Sequence, residues 1–291
     1  MNKTAILSTG LWLAAIIGVG ASGAVSAQEF AALVSPPRYE LFGEPGQVSR
    51  QVLEITHMGT QTTPYRVFTA DWTLAPDGSV SFFEPLQSGS CRPWVALERR
   101  ELSLSAKAKR RFRFEVTIPP DAAPGECRFA VMIEGDELKV KAGDSVSFPA
   151  AARIGVVVYM TIGKGAPVLE IAGAVVDKVA GQLTPMLQIR NIGNAHGRLS
   201  GILDVTDAAG AKFEMSPATL PILPGETRDI VLSAVPEDKI AQSARFPLTV
   251  KGNLEWADKK TAINQVFKAP ANPVKLCTDA CVAEEADVKQ P

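Results

Sequence analysis

The chain has 291 residues, with 30 basic against 31 acidic side chains for a net charge of −1, and only two histidines. Near-neutral charge with scattered basic residues lacks the electrostatic footprint of a nucleic-acid binder, and His57 and His196 stand in no metal or nucleophile motif, which argues against an enzyme. The length suits two modest domains, each able to bury its own core.

Lys3, an apolar core from Leu11 to Ile17 and the small-residue exit Val25-Ser26-Ala27 read as a secretory leader over residues 1–27, cleaved before Gln28. The apolar stretch is short for a bilayer span, and Gly18, Gly20, Ser22 and Gly23 dilute its end, so no stable membrane anchor is expected. No cysteine follows the exit, so a lipid anchor is not expected there either.

From Val48 onward, short β-rich runs alternate with turn signals at the pitch of an all-β sandwich. Val52–Ile55 and Tyr65–Phe68 are the first, and Pro76-Asp77-Gly78-Ser79 folds the strand carrying Trp72 back into Val80-Ser81-Phe82 as a hairpin. Val95–Leu97 and Leu102–Leu104 follow. Phe112, Phe114, Val116 and Ile118 alternate with Arg111, Arg113, Glu115 and Thr117, so one face packs and the other is solvated. Pro119-Pro120 stops this strand, and Pro124-Gly125 turns the chain into the run opened by Cys127. Leu138, Val140, Val146, Phe148 and Ala150 all stand at even positions, implying extended chain. The β-branched run from Arg153 to Ile162 reads as a strand buried on both faces, the last of its domain.

Gly163-Lys164-Gly165-Ala166-Pro167 is the expected hinge. A second sandwich is expected from strands around Leu187–Ile189, Gly201–Val205, Ile230–Leu232, Phe246–Val250, Leu254–Trp256 and Ile263–Phe267. The polar tail beyond Pro270 offers little to bury. The domains are thus residues 28–164 and 165–270, two immunoglobulin-like β-sandwiches in tandem, with a flexible tail at 271–291.

Four cysteines in an exported chain suggest crosslinks. Cys91 and Cys127 each precede a strand, so a bridge between them would staple two strand starts of one domain and stabilise it by about 3 kcal/mol. Cys277 and Cys281 lie in the tail, where a tight local loop is one reading and a redox or metal site another. The second is the weaker, since three intervening residues are not the thioredoxin spacing and no histidine lies nearby.

Pro37-Arg38-Tyr39-Glu40-Leu41-Phe42-Gly43, Trp94-Val95-Ala96-Leu97, the Phe112 strand and the Ile154 strand together resemble the periplasmic chaperones of bacterial pilus assembly, a family of two immunoglobulin-like domains. In that family an arginine of the first strand and a basic residue of the last strand of domain one bind a subunit's terminal carboxylate in the interdomain cleft. The resemblance implies Arg38 and Arg153 in those roles. It also implies that Val146, Phe148 and Ala150 are donated to a subunit whose own sandwich lacks a strand, by β-augmentation. The partners implied are pilus-type subunits and an outer-membrane usher, the location is the periplasm, and no cofactor, metal or small-molecule substrate is expected. The stretch Pro124–Phe129 replaces the family's acidic-serine segment, which points to a divergent branch. Domain two, through Arg190–His196 and Leu223–Thr227, looks more like the sandwich domains of exported adhesion proteins. A non-catalytic structural or adhesion module of an envelope assembly is therefore the alternative.

Simpler roles compete at several positions. Arg38 and Arg153 also read as solvated strand residues, and Val146 and Phe148 as a hairpin strand packing inward. Trp72, Trp94 and Trp256 read as core anchors. Asp71 and Glu84, near aromatics, would suit a glycosidase pair, but turns and strand edges explain them equally well.

Overall fold

In the computed structural model, the described residues are 32–142, 146–235 and 244–270, with side chains left undescribed over 136–150. The leader, Cys277 and Cys281 lie outside the described residues, as do the side chains of Val146, Phe148 and Ala150. No helix among the described residues is long and apolar enough to cross a membrane.

Among the described residues, ten strands build the first sandwich: β1 Ala32–Ser35, β2 Arg38–Gly43, β3 Val48–His57, β4 Thr63–Leu74, β5 Val80–Phe83, β6 Val95–Leu97, β7 Glu101–Leu104, β8 Lys109–Thr117, β9 Gly125–Ala142 and β10 Val146–Ile162. One layer has the order β1-β3-β8-β6, the other β2-β10-β9-β4-β5, with β7 also on β4. Alternation decides which side chains meet between them. Leu53 and Ile55 of β3 and Phe112, Phe114 and Val116 of β8 pack against Phe129, Val131 and Ile133 of β9 and Val156, Val158 and Met160 of β10. Full burial of a ring such as Phe112 contributes roughly 2–3 kcal/mol relative to exposure. A disulfide joins Cys91, just before a 3-10 turn at Arg92–Trp94, to Cys127 in β9, with Cα atoms 5.5 Å apart. Both sulfurs sit within the core.

The second sandwich comprises β11 Leu169–Val179, β12 Gln182–Asn191, β13 Leu203–Thr206, β14 Lys212–Pro217, β15 Thr227–Ala234, β16 Leu248–Trp256 and β17 Lys259–Phe267, in the order β11-β12-β15-β14-β13-β16-β17. β15 pairs with β12 through Thr227–Val231 and with β14 through Leu232–Ala234, so one sheet folds over into two layers. Leu187, Ile189, Val205, Phe213, Ile230, Leu232, Val250 and Phe267 fill the space between. The chain is all-β, two immunoglobulin-like sandwiches in tandem.

Three elements go beyond the expected strands. β1 and β11 had no strong alternation to announce them, whereas β14 was passed over despite the alternation of Lys212-Phe213-Glu214-Met215-Ser216. The strands expected over Phe246–Val250 and Leu254–Trp256 are one strand, β16, which begins at Leu248 and leaves Phe246 and Pro247 outside, because Gly252 at φ 147° continues the ladder where a side-chain-bearing residue would be strained.

The joint between the sandwiches is built around Asn191, which is fully buried. Its Oδ1 accepts from the backbone N–H groups of Val168 and Gly193, and its Nδ2 donates to the carbonyls of Ala195 and Ile222. The loop thus held places Asn194 against Ala166 on one side and the Pro124 carbonyl on the other.

Candidate functional site: an open strand edge and the face beside it

β9 and β10 form one long hairpin, paired antiparallel from Gly125↔Ile162 to Ala142↔Val146 with an irregularity at Ala151/Arg153. On its other side, β10 is covered by β2 only over Val157–Ile162, in parallel register from Val157↔Arg38 to Ile162↔Gly43. Among the described residues, the stretch Val146–Val156 therefore has a partner on one edge and none on the other. Unpaired N–H and C=O groups along such an edge are a template for another strand.

Strand alternation sets the face beside this edge. Tyr39 and Leu41 point into the core, so Arg38 and Glu40 point outward. In β10 the core takes Val156, Val158 and Met160, which leaves Arg153, Gly155, Val157 and Tyr159 outward on the same face as Arg38. Arg38 is in register with Val157, four residues from Arg153, or about 13 Å along the strand. The two arginines share a face but hold separate partners: Arg38 Nε lies 3.0 Å from Glu40 Oε1, whereas Arg153 pairs with Glu134 and Glu84.

The Arg153 end is a network that spans three adjacent strands. Arg66 of β4 and Arg153 of β10 are both in register with Glu134 of β9, and both hydrogen-bond its carboxylate. Burial opposes the charge on Glu134, but these two guanidinium hydrogen bonds outweigh it and hold the carboxyl below its ordinary value. Glu84, on the chain leaving β5, adds a second carboxylate 3.5 Å from Arg153 Nη1 and 3.9 Å from Arg66 Nη2. Arg66 also lies over the Phe68 ring, 4.2 Å from its centroid. Asp71 and Glu84 are both held by Arg92, whose Nη1 lies 3.3 Å from the Asp71 carboxylate and donates to the Glu84 backbone carbonyl at 2.7 Å.

The other end of the face is covered by the second sandwich. The rings of Tyr159 and His196 lie 4.0 Å apart, and the fully enclosed Glu126 carboxylate accepts from both the backbone N–H and the ring of His196. Arg198 Nε is 3.5 Å from Glu40 Oε1. Leu223 packs on the cluster of Ala70, Trp72, Ala130, Met132 and Tyr159. Arg228 is buried and donates to the carbonyls of Leu74, Ala75 and Pro76 in the turn between β4 and β5. Trp72 thus belongs to the joint between the domains, with its Nε1 donating to the Phe129 carbonyl.

The sequence reading named Arg38, Arg153 and the Val146–Ala150 stretch, and Glu84 only as a carboxylate near aromatics, but not Arg66 and Glu134 around Arg153 or the Glu126–His196 contact. Only strand register brings these together, and no local motif carries it. No group of three or more His, Cys, Asp or Glu side chains able to hold a metal occurs among the described residues.

No family model and no curated protein sequence matches the chain. Among solved structures, it is similar to the class 5 fimbriae chaperone CfaA (12% identity over 82% of this chain and 99% of that chain, TM-score 0.44), the E. coli chaperone DraB (11%, 81% and 99%, 0.41) and the CsuC–CsuE chaperone–tip adhesion subunit pre-assembly complex of Acinetobacter baumannii (15%, 82% and 100%, 0.40).

Proposed function

We propose that this chain is a periplasmic chaperone of pilus- or fimbria-type subunits, which pairs its β10 edge with a subunit lacking a strand and holds the subunit's terminal carboxylate between Arg38 and Arg153. The observation that carries this reading is the half-covered β10: Val146–Val156 is open among the described residues, and β2 begins where the open stretch ends. A subunit strand running parallel to β10 would occupy that stretch in line with β2. Its C-terminus would then point at Arg38 and pass Arg153 on the shared face. Backbone pairing supplies affinity along the edge, with Val146, Phe148 and Ala150 as the side chains offered to the subunit's groove. A guanidinium suits the carboxylate because its fork fixes register as well as charge. The N-terminal leader read from the sequence supplies the route to the periplasm, and delivery to an outer-membrane usher completes the reading.

Co-expression with strand-deficient subunits, followed by pull-down from the periplasm, tests it. A one-to-one complex is expected, with the chaperone absent from the finished fibre. Arg38→Glu and Arg153→Glu are each expected to abolish capture, and an unchanged subunit yield would sink the anchor assignment. Retention of the chain in the fibre would instead identify a structural module.

A further inference from the structure

The face beside the open edge is not bare. The hairpin arm formed by β5 and the residues after it lies across it at two points. The Phe82 ring sits on Gly155, where any Cβ would collide with it, so the arm approaches β10 this closely only because that residue is glycine. One step further, Glu84 meets Arg153. The Glu84 backbone is held in place by Arg92, itself braced on Asp71.

Arg153 therefore carries two carboxylates of different character. Glu134 belongs to the sheet, is only 12% exposed and is shared with Arg66 across neighbouring strands. Glu84 is 53% exposed, comes from the arm and touches the guanidinium from the solvent side. Two arginines and Glu134 leave one positive charge unbalanced, and Glu84 balances it.

We propose that Glu84 is a built-in stand-in for the subunit's terminal carboxylate, a specificity-determining residue that makes Arg153 accept an incoming carboxylate only by exchange. The inference rests on the reading of Arg153 as the anchor. Exchange conserves charge, since one carboxylate leaves Arg153 for water as another arrives. A free anion must compete against an intramolecular partner at high effective concentration, whereas a carboxylate delivered on a strand already paired with β10 gains the same advantage. The site thus discriminates a paired chain terminus from dissolved anions.

The test uses the exported full chain and a synthetic peptide of alternating valine and threonine, made with a free terminal carboxylate and as its terminal amide, with binding followed by calorimetry. The wild type is expected to prefer the free acid. Glu84→Gln, which keeps shape and removes charge at an exposed position, is expected to bind the free acid roughly two- to fivefold more tightly and the amide no differently. In an Arg153→Gln background, Glu84→Gln is expected to change nothing. Equal binding of the free acid by wild type and Glu84→Gln overturns the stand-in role, even where Arg153→Gln still weakens the acid. Loss of acid-over-amide preference in the wild type, or no effect of Arg153→Gln, overturns the anchor reading beneath it. Failure of both peptides to bind overturns the open-edge reading itself.

Discussion

Asn191 shows how much one buried polar side chain carries in this molecule. It is fully enclosed, and its amide satisfies two backbone donors, Val168 and Gly193, and two backbone acceptors, Ala195 and Ile222. Asn191→Ala would remove one hydrogen-bond partner from each of the four. We expect a loss of ~3 kcal/mol in urea unfolding, against little effect of Asn194→Ala at the exposed neighbouring position. The three tyrosines, Tyr39, Tyr65 and Tyr159, make a second residue-scale point. Burial raises the phenol pKa of each, that of Tyr39 to about 12, where its hydroxyl also donates to the Val52 carbonyl. A raised folded-state pKa gives stability that is complete below the unfolded phenol's value of 10.0 and is lost as pH climbs through the folded one. Alkaline titration by ultraviolet absorbance is expected to show no phenolate until above about pH 10, with ionisation and unfolding arriving together. Phenolate appearing on an intact fold at ordinary tyrosine pH would contradict the burial.

At the scale of the element, the strands legible in sequence are those with one wet and one dry face. Phe112, Phe114 and Val116 alternate with charged neighbours and do form β8, and the apolar run from Arg153 to Ile162 does lie in β10. β11 was not legible because its small and apolar residues, Ile171-Ala172-Gly173-Ala174, carry no clear period. β16 was read as two strands because glycine normally punctuates. Here Gly252 permits a close approach: a Cβ on it would stand 3.0 Å from Leu203 Cδ2 and 3.1 Å from the Ile202 carbonyl, at a φ that L-residues rarely adopt. Gly252→Ala is expected to destabilise by about 1–3 kcal/mol, measured by thermal or urea unfolding, whereas alanine at Gly173 would contact mainly the movable Gln188 side chain. The candidate site was half legible. Arg38 and Arg153 stood out through a resemblance of their strands, whereas Arg66 and Glu134 meet Arg153 only through the register of β4, β9 and β10, and Glu84 reaches it from the chain after β5. A shift of one residue would send these side chains to the opposite face, and nothing local in the sequence excludes that shift.

At the scale of the whole molecule, the two sandwiches are joined by more than a linker. Arg228 crosses between them with three hydrogen bonds to backbone carbonyls, and Leu223 seals the apolar patch around Trp72. Arg228→Ala removes all three of these donors from across the joint. We expect differential scanning calorimetry to resolve one unfolding transition in the wild type into two in the variant, as the domains stop melting together. A single transition that merely moves down in temperature would show that the Asn191 loop and the Tyr159–His196 contact suffice for coupling.

The carbonyls that Arg228 grips belong to the turn at the root of the arm that carries Phe82 and Glu84. Domain two therefore holds the handle of a lever whose tip rests on Arg153. If displacing Glu84 from Arg153 also moves the arm, that movement and the Arg228 contact are thermodynamically linked, each biasing the other by the same free energy. A change far out on domain two that loosens or tightens that grip would then be felt at the strand edge without touching it.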